Sequence, residues 1–529
     1  MRKGFFGVLR KVLVTALSYG LWLYPLTYVA LWIVLLRRVP ITLMDAELKR
    51  DICMYVSILP VFMYVLRKRT QPSPEGSVYE RERFKRPNVH EDMLFKNPNG
   101  VVFGRRNRKY VCKPVREDGH IAVVGGSGSG KSSSFAIPTI MSASQDDSCR
   151  IFALDIKGEL HTKCFAKDSP DVHIFDPQER KSSYGWNPFY RLGEESTRQE
   201  VLETMMEISH SLIPMPGDIK DPFWKESARS LLIGLLLYFY NSGITSFVKI
   251  IDQILGKPIT ETISEVKKRS EREALEYRYL SQFFNMPDET LGGIIAEMNN
   301  HIIIFSVDQD IRYSFGRKRC ISPQTVEEGH VFISIREEKL TSYNDVLRLI
   351  INQTLSFLER RSEDSETQII LMIDELARIV SSGKLERLMD GARTLRSRHV
   401  TLILITQSLE ALYISYSENE VTDLISNCPY VLVLSASSSK TQKSIIEWCG
   451  KYKQTRQSWS GAGLETRVTT SYEDKDIVEA SDLVSLPKTG EAILISAHGY
   501  NRITKTPYFK DPFFKSISDG INTRNNVND

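Results

Sequence analysis

Cysteine is sparse in this chain and never clustered. The seven cysteines, at 53, 112, 149, 164, 320, 428 and 449, include no C-x-x-C pair. That spacing argues against a zinc site or a disulfide framework and for reduced, structural thiols. The nine histidines show no metal-ligand spacing. Internal repeats and low-complexity tracts are absent too. An excess of either charge is also lacking. The net charge is +4 over 529 residues, which neither demands nor excludes nucleic acid, so any basic surface must be local. At this length one ordinary core does not suffice, and two or three domains are expected.

What is present is a phosphate loop. In "GHIAVVGGSGSGKSSSF" (119–135) an apolar strand, 121–124, runs into glycines and serines that end in Lys-Ser-Ser. Gly125, Gly130, Lys131 and Ser132 meet the pattern G-x-x-x-x-G-K-[ST]. Gly125, Gly126, Gly128 and Gly130 let the backbone bend tightly. The amides of 125–133, including Ser127, Ser129 and Ser133, can then close on a phosphate. The following helix adds its positive N-terminal end. Lys131 is expected on the β- and γ-phosphates, and the Ser132 hydroxyl on Mg²⁺. The helix is expected to bend or end at Pro138.

Further strand patterns lie at 150–156, 172–176, 330–335, 367–375, 400–406 and 430–436, whereas residues 196–300 read as nearly continuous helix. The expected fold is α/β: a P-loop NTPase of RecA-like type with a parallel-sheet core and an inserted all-α domain. The expected division is 1–70, 71–195 (with a linker over 71–100), 196–300, 301–515 and a disordered polar tail, 516–529.

"TQIILMIDELARI" (367–379) ends its strand in Asp374 and Glu375. A strand's carboxyl end is where such a sheet places ligands. Asp374 is read as the acidic partner of Ser132 on Mg²⁺. Glu375 is read as the base that orients and deprotonates the attacking water, which a multiple-turnover ATPase needs. Gln407, ending the next strand, is read as a γ-phosphate reporter. Between them, "GARTLRSRHV" (391–400) holds Arg393, Arg396 and Arg398. The turn is either solvated or, in a ring, faces a neighbour's nucleotide at the sheet's ligand edge. Arg396 is then the favoured finger in trans.

Residues 12–36 carry no charge and are long enough to span a bilayer. Basic flanks favour a second span over about 50–67 despite Pro60. With the nucleotide site facing the cytoplasm, the expectation is a transmembrane hairpin and a multi-pass inner-membrane protein. The run 231–240 is too short to span and reads as a core helix.

In order along the chain, "EDGHIAVVGGSGSGKSSSFAIPTIM", "LDIKGEL" (154–160), "WNPF" (186–189), "DPFWKESARSLL" (221–232), "MIDELARI", "LRSRHVTLILITQS" and "LISNCPYVLVLSASSSKTQKSIIEWCG" resemble the motifs of the type IV secretion coupling proteins. These are membrane-anchored ATPases of conjugative DNA transfer. The resemblance covers roughly residues 100–515. It implies a homo-hexameric ring that uses ATP and Mg²⁺ to drive single-stranded DNA, or its relaxase complex, toward the type IV secretion channel. Ile156 stands where the family often has proline, and the short stretch after the last strand carries the expectation that a large adaptor extension is absent. For Asp155 and Lys157 the resemblance leaves open a part in coupling or a structural salt bridge. A septal-type DNA translocase and a receptor for protein effectors are the rival readings.

Overall fold

The computed structural model describes residues 89–215, 221–460 and 467–528, the strand Val78–Arg81 and a few positions before it. The chain divides into two compact units. The first, residues 1–84 and 452–475, holds a three-stranded sheet in which Val78–Arg81 pairs antiparallel with Lys451–Ser460, followed by Arg467–Asp476.

The second unit, residues 85–451 and 476–529, is built on one twelve-stranded sheet. Its strands are β1 (Leu94–Phe95), β2 (Val101–Arg106), β3 (Lys109–Lys113), β4 (Ile121–Val124), β5 (Cys149–Asp155), β6 (Val172–Phe175), β7 (His330–Ser334), β8 (Gln368–Ile373), β9 (Val400–Thr406), β10 (Tyr430–Val433), β11 (Glu491–Ser496) and β12 (Gly499–Thr504). The spatial order is β1-β3-β2-β12-β11-β10-β4-β9-β8-β5-β7-β6. From β10 to β6 every pairing is parallel. Beyond β10 the sheet continues antiparallel.

The central parallel strands are largely apolar runs because both of their faces are covered, whereas the edge strand β6 is mostly half-buried. All seven residues of β9 and all six of β8 are buried. Alternate side chains serve opposite cores. Ala122, Val124, Phe152 and Leu154 join the core that includes Met205, Leu231 and Leu235 of the helical block. Ile121, Val123, Ile151 and Ala153 join the core on the other face, with Phe135, Ile140, Leu160 and Phe514.

The helical block opens at Arg198–Leu212, capped reciprocally by Thr197 and Glu200. Its last helix is Gln309–Gly316, beyond the expected boundary at 300. "WNPF" fastens one of its neighbours. The Trp186 indole donates to Gln353 Oε1 at 2.8 Å, and the Gln353 amide donates to the Pro188 carbonyl at 2.8 Å. The run 231–240 lies within the helix Phe223–Asn241, where Leu231, Leu232, Leu235, Leu236 and Leu237 are fully buried in protein.

Three expectations are corrected. The proposed spans at 12–36 and 50–67 fall almost wholly outside the described residues. Among the described residues no helix is long and apolar enough to cross a membrane, which overturns the multi-pass inner-membrane assignment. The longest apolar helix, Phe223–Asn241, carries Lys225, Glu226 and Arg229 in its first turns and packs inside the protein. The tail is not disordered. Pro512–Asn528 is a helix, anchored by the fully buried Phe514 and by edge-on contacts of Phe513 and Phe514 with Tyr110. Finally, Pro138 does not end the helix. It sits near the start of Ile137–Ala143, where a wide helical turn over Lys131–Ala136 passes into α-helix and a missing N–H costs little.

Candidate nucleotide-binding site

The site gathers at the carboxyl edge of the parallel strands. β4 ends at Val124 and the loop follows. Its first two amides are turned into the protein: Gly125 N–H donates to the Thr406 carbonyl at 3.0 Å and Gly126 N–H to Ser435 Oγ at 2.9 Å. Gly130 lies at φ 99°, where an added Cβ would meet Ser134 Oγ at 2.7 Å. Only glycine fits that turn into the helix.

A cavity of about 310 Å³ opens over the loop. Gly126, Ser127, Gly128 and Gly130 to Ser133 line one side, and Asp374, Glu375 and Gln407 the other. Gly125 and Ser129 do not line it. Ser129 is 3% exposed and would collide with any Cβ on Gly125, so these two residues shape the loop from beneath. Lys131 Nζ donates to the Gly125 carbonyl at 2.9 Å and stands 3.2 Å from Glu375 Oε2.

Glu375 follows β8 in a left-handed conformation, φ 60° and ψ 49°. A side chain rarely adopts it without compensation. Here it turns the carboxylate onto Lys131. Asp374 is 9% exposed. Burial first, then the neighbouring Glu375, pushes its acid up to about 7, against the pull of Lys131.

Asp155, ending β5, resolves into a structural role. Its carboxylate accepts from the backbone N–H of Glu159, Leu160 and His161 at 2.9–3.1 Å and contacts His161 Nδ1 at 2.9 Å. It caps the helix Glu159–Cys164. Lys157, in contrast, lines the cavity.

The arginine turn is on the other edge. It precedes β9, and β9 runs parallel to β4, so Arg396 lies at the amino end of the strands while the phosphate loop lies at the carboxyl end. The seven residues of β9 separate the two by about 20 Å. Burial lowers the pKa of His120 to about 4 and raises that of Tyr430, at the starts of β4 and β10, and the Arg396 charge stands close enough to pull both downward. Arg393 is tied to Asp423 at 2.7 Å, and Arg398 donates to the Arg361 carbonyl at 2.9 Å. Arg396 is exposed and, among the described residues, has no ion pair.

Two groups escaped the sequence reading. Arg378 and Glu337 line the cavity and pair with each other at 2.7 Å. Arg378 lies three residues past Glu375, one helical turn on, which the sequence could have flagged. Lys505 reaches the loop from beneath, and no sequence pattern marks it.

The profile of the family described as "Type IV secretory system Conjugative DNA transfer" matches residues 80–526. Protein VirD4 of Rhizobium rhizogenes is 22% identical over 450 residues, covering 79% of this chain and 63% of that protein. The conjugal transfer protein TraG of Rhizobium radiobacter is 21% identical over 366 residues, covering 62% and 56%. The chain spans about three fifths of the length of these curated relatives. Among solved structures, the bacterial conjugative coupling protein TrwBdeltaN70 matches with a TM-score of 0.63 at 15% identity, over 82% of this chain and 96% of that one. Plasmid coupling protein TrwB in complex with the ATP analogue ADPNP gives 0.61 at 16%, over 83% and 95%. At such identities the structures speak for the fold, an α/β P-loop type with a parallel-sheet core. With its profile matched over 80–526, the chain belongs to the type IV secretory system conjugative DNA transfer family.

Proposed function

We propose that the chain is an ATP-hydrolysing coupling protein of conjugative DNA transfer. The observation that carries this reading is the approach of Lys131, at the start of the helical turn after the loop, and Glu375, after β8, to 3.2 Å across one cavity. The amides of Ser127, Gly128 and Gly130 to Ser133 bind the phosphates, and Lys131 reaches the β- and γ-phosphates. The Ser132 hydroxyl and Asp374 would hold Mg²⁺. The fit rests on Asp374: its buried carboxyl, pushed up to about 7 beside Glu375, gains a reason to ionise when a dication is present. Bound Mg²⁺ would supply charge neutralisation of the phosphates. Glu375 orients the attacking water and takes its proton, and Gln407 contacts the γ-phosphate.

The cargo in this reading is single-stranded DNA with its relaxase, delivered to the type IV secretion channel, and membership of a conjugative DNA transfer family supports it. The helical block, about 198–316, is the docking surface and the remaining sheet unit the motor. Six copies form a ring, and Arg396, exposed at the far strand edge, reaches a neighbour's nucleotide. The test is phosphate release from MgATP by the full chain, with and without single-stranded DNA. DNA-stimulated hydrolysis is expected; a chain that binds neither MgATP nor MgADP overturns the proposal.

A further inference from the structure

Lys505 is a buried lysine that, among the described residues, pairs with no carboxylate. It follows β12 and is 9% exposed. Its Nζ donates to three backbone carbonyls: Ser129 at 2.9 Å, Leu434 at 3.0 Å and Leu486 at 3.5 Å. The three N–H bonds of the ammonium are thereby used. Desolvation alone pulls its pKa down to about 8, so burying this charge is costly, and a shorter polar residue could not reach all three oxygens.

The placement of those oxygens is informative. Ser129 is the residue before Gly130, and the Ser129 carbonyl and the Gly130 N–H belong to one planar trans peptide, so they point in opposite directions. An ammonium that holds the carbonyl inward turns the Gly130 N–H outward, toward the cavity that Gly130 lines. Leu434 extends β10 beside the end of β4, its N–H donating to the Val124 carbonyl at 2.8 Å. The next residue, Ser435, takes the Gly126 N–H. Three residues past Lys505, the Tyr508 N–H donates to the Ser133 carbonyl at 2.9 Å. The segment 505–508 therefore grips the loop's last turn and the first turn of its helix from below.

We propose that Lys505 is a positioning residue for the phosphate loop: its ammonium, seated beneath the loop on the Ser129, Leu434 and Leu486 carbonyls, holds the loop's amides in the orientation that receives the nucleotide phosphates. This rests on the nucleotide reading of the loop and deepens it. Lys505 touches no phosphate itself.

The experiment compares MgADP affinity and MgATP steady-state kinetics of the full chain with Lys505→Met, Lys131→Ala and Ile503→Val. Lys505→Met removes a charge-assisted donor. It should weaken MgADP binding about 10-fold or more and raise KM with a smaller change in kcat. Ile503→Val trims a buried residue of β12, two positions before Lys505, and reports general loosening. Its melting temperature should fall while its MgADP affinity stays within threefold of the parent. If Lys505→Met does not fold, Lys505→Gln carries the same comparison. A folded Lys505 variant that binds MgADP within threefold of the parent overturns the inference. So does an equal affinity loss in Ile503→Val, because affinity would then merely follow stability. If Lys131→Ala binds MgADP like the parent, the nucleotide reading itself fails, and that result is distinct from the other two.

Discussion

Asp374→Asn should stabilise the protein when Mg²⁺ is withheld. The side chain sits in a site that is 9% exposed, with Glu375 as its chain neighbour. Burial and that neighbour move its acid from 3.8 to about 7. Ionising it there costs about 4 kcal/mol relative to the unfolded chain, and Asn should recover roughly 2–4 kcal/mol of that. The folded pKa lies above the unfolded one. The penalty is therefore absent below about pH 4, grows as the pH rises toward about 7, and is complete at about pH 8. Thermal or urea unfolding in EDTA should show the Asn variant clearly more stable at pH 8, with its advantage reduced by about half or more at pH 5. Adding MgADP should reverse the order, because the parent gains a metal contact that Asn holds poorly. An Asn variant with no pH-dependent advantage would refute the claim that this carboxylate is held at a cost for the metal.

Three further outcomes follow from the geometry. Glu375→Gln should bind MgATP like the parent yet lose hydrolysis by about 10²-fold or more, since the amide keeps the shape and loses the base; near-parental turnover rejects Glu375 as the base. Phe514→Ala should destabilise the sheet unit by about 3–5 kcal/mol in urea unfolding, because Phe514 is fully buried against Tyr110; a change below about 1 kcal/mol would reject Phe514 as the anchor of the C-terminal helix. Arg396→Ala mixed with Lys131→Ala should recover hydrolysis that each lacks alone, because some interfaces then pair an intact Lys131 with an intact Arg396.

The parallel strands were readable because each is a short, largely apolar run, and β9 coincides with the expected 400–406. A strand buried on both faces has no alternation to confuse the reading. The tail failed for the opposite reason. "SDGINTRNNVND" is polar but for Ile521 and Val527, and the two phenylalanines that fasten its helix lie just ahead of it. Composition over a window cannot register an anchor outside the window. Glu375 was readable as a position but not as a conformation. Its left-handed backbone, which aims it at Lys131, leaves no trace in residue type.

The two errors at the site differ in kind. Lys505 was invisible because its partners are carbonyl oxygens, which every residue possesses. A cation that binds backbone leaves no complementary charge elsewhere in the sequence. The edge of the arginine turn, by contrast, was recoverable. In a parallel sheet the segment that enters a strand always lies at the amino edge and the segment that leaves it at the carboxyl edge. "RTLRSRH" enters β9 and Gln407 leaves it, so the two were bound to fall on opposite edges. That topology has a consequence for catalysis. About 20 Å from the phosphate loop of its own chain, Arg396 has no route to its own nucleotide. Its guanidinium acts on a neighbour's nucleotide or on none, and recovery of hydrolysis in the mixture of single mutants is the result that separates those two.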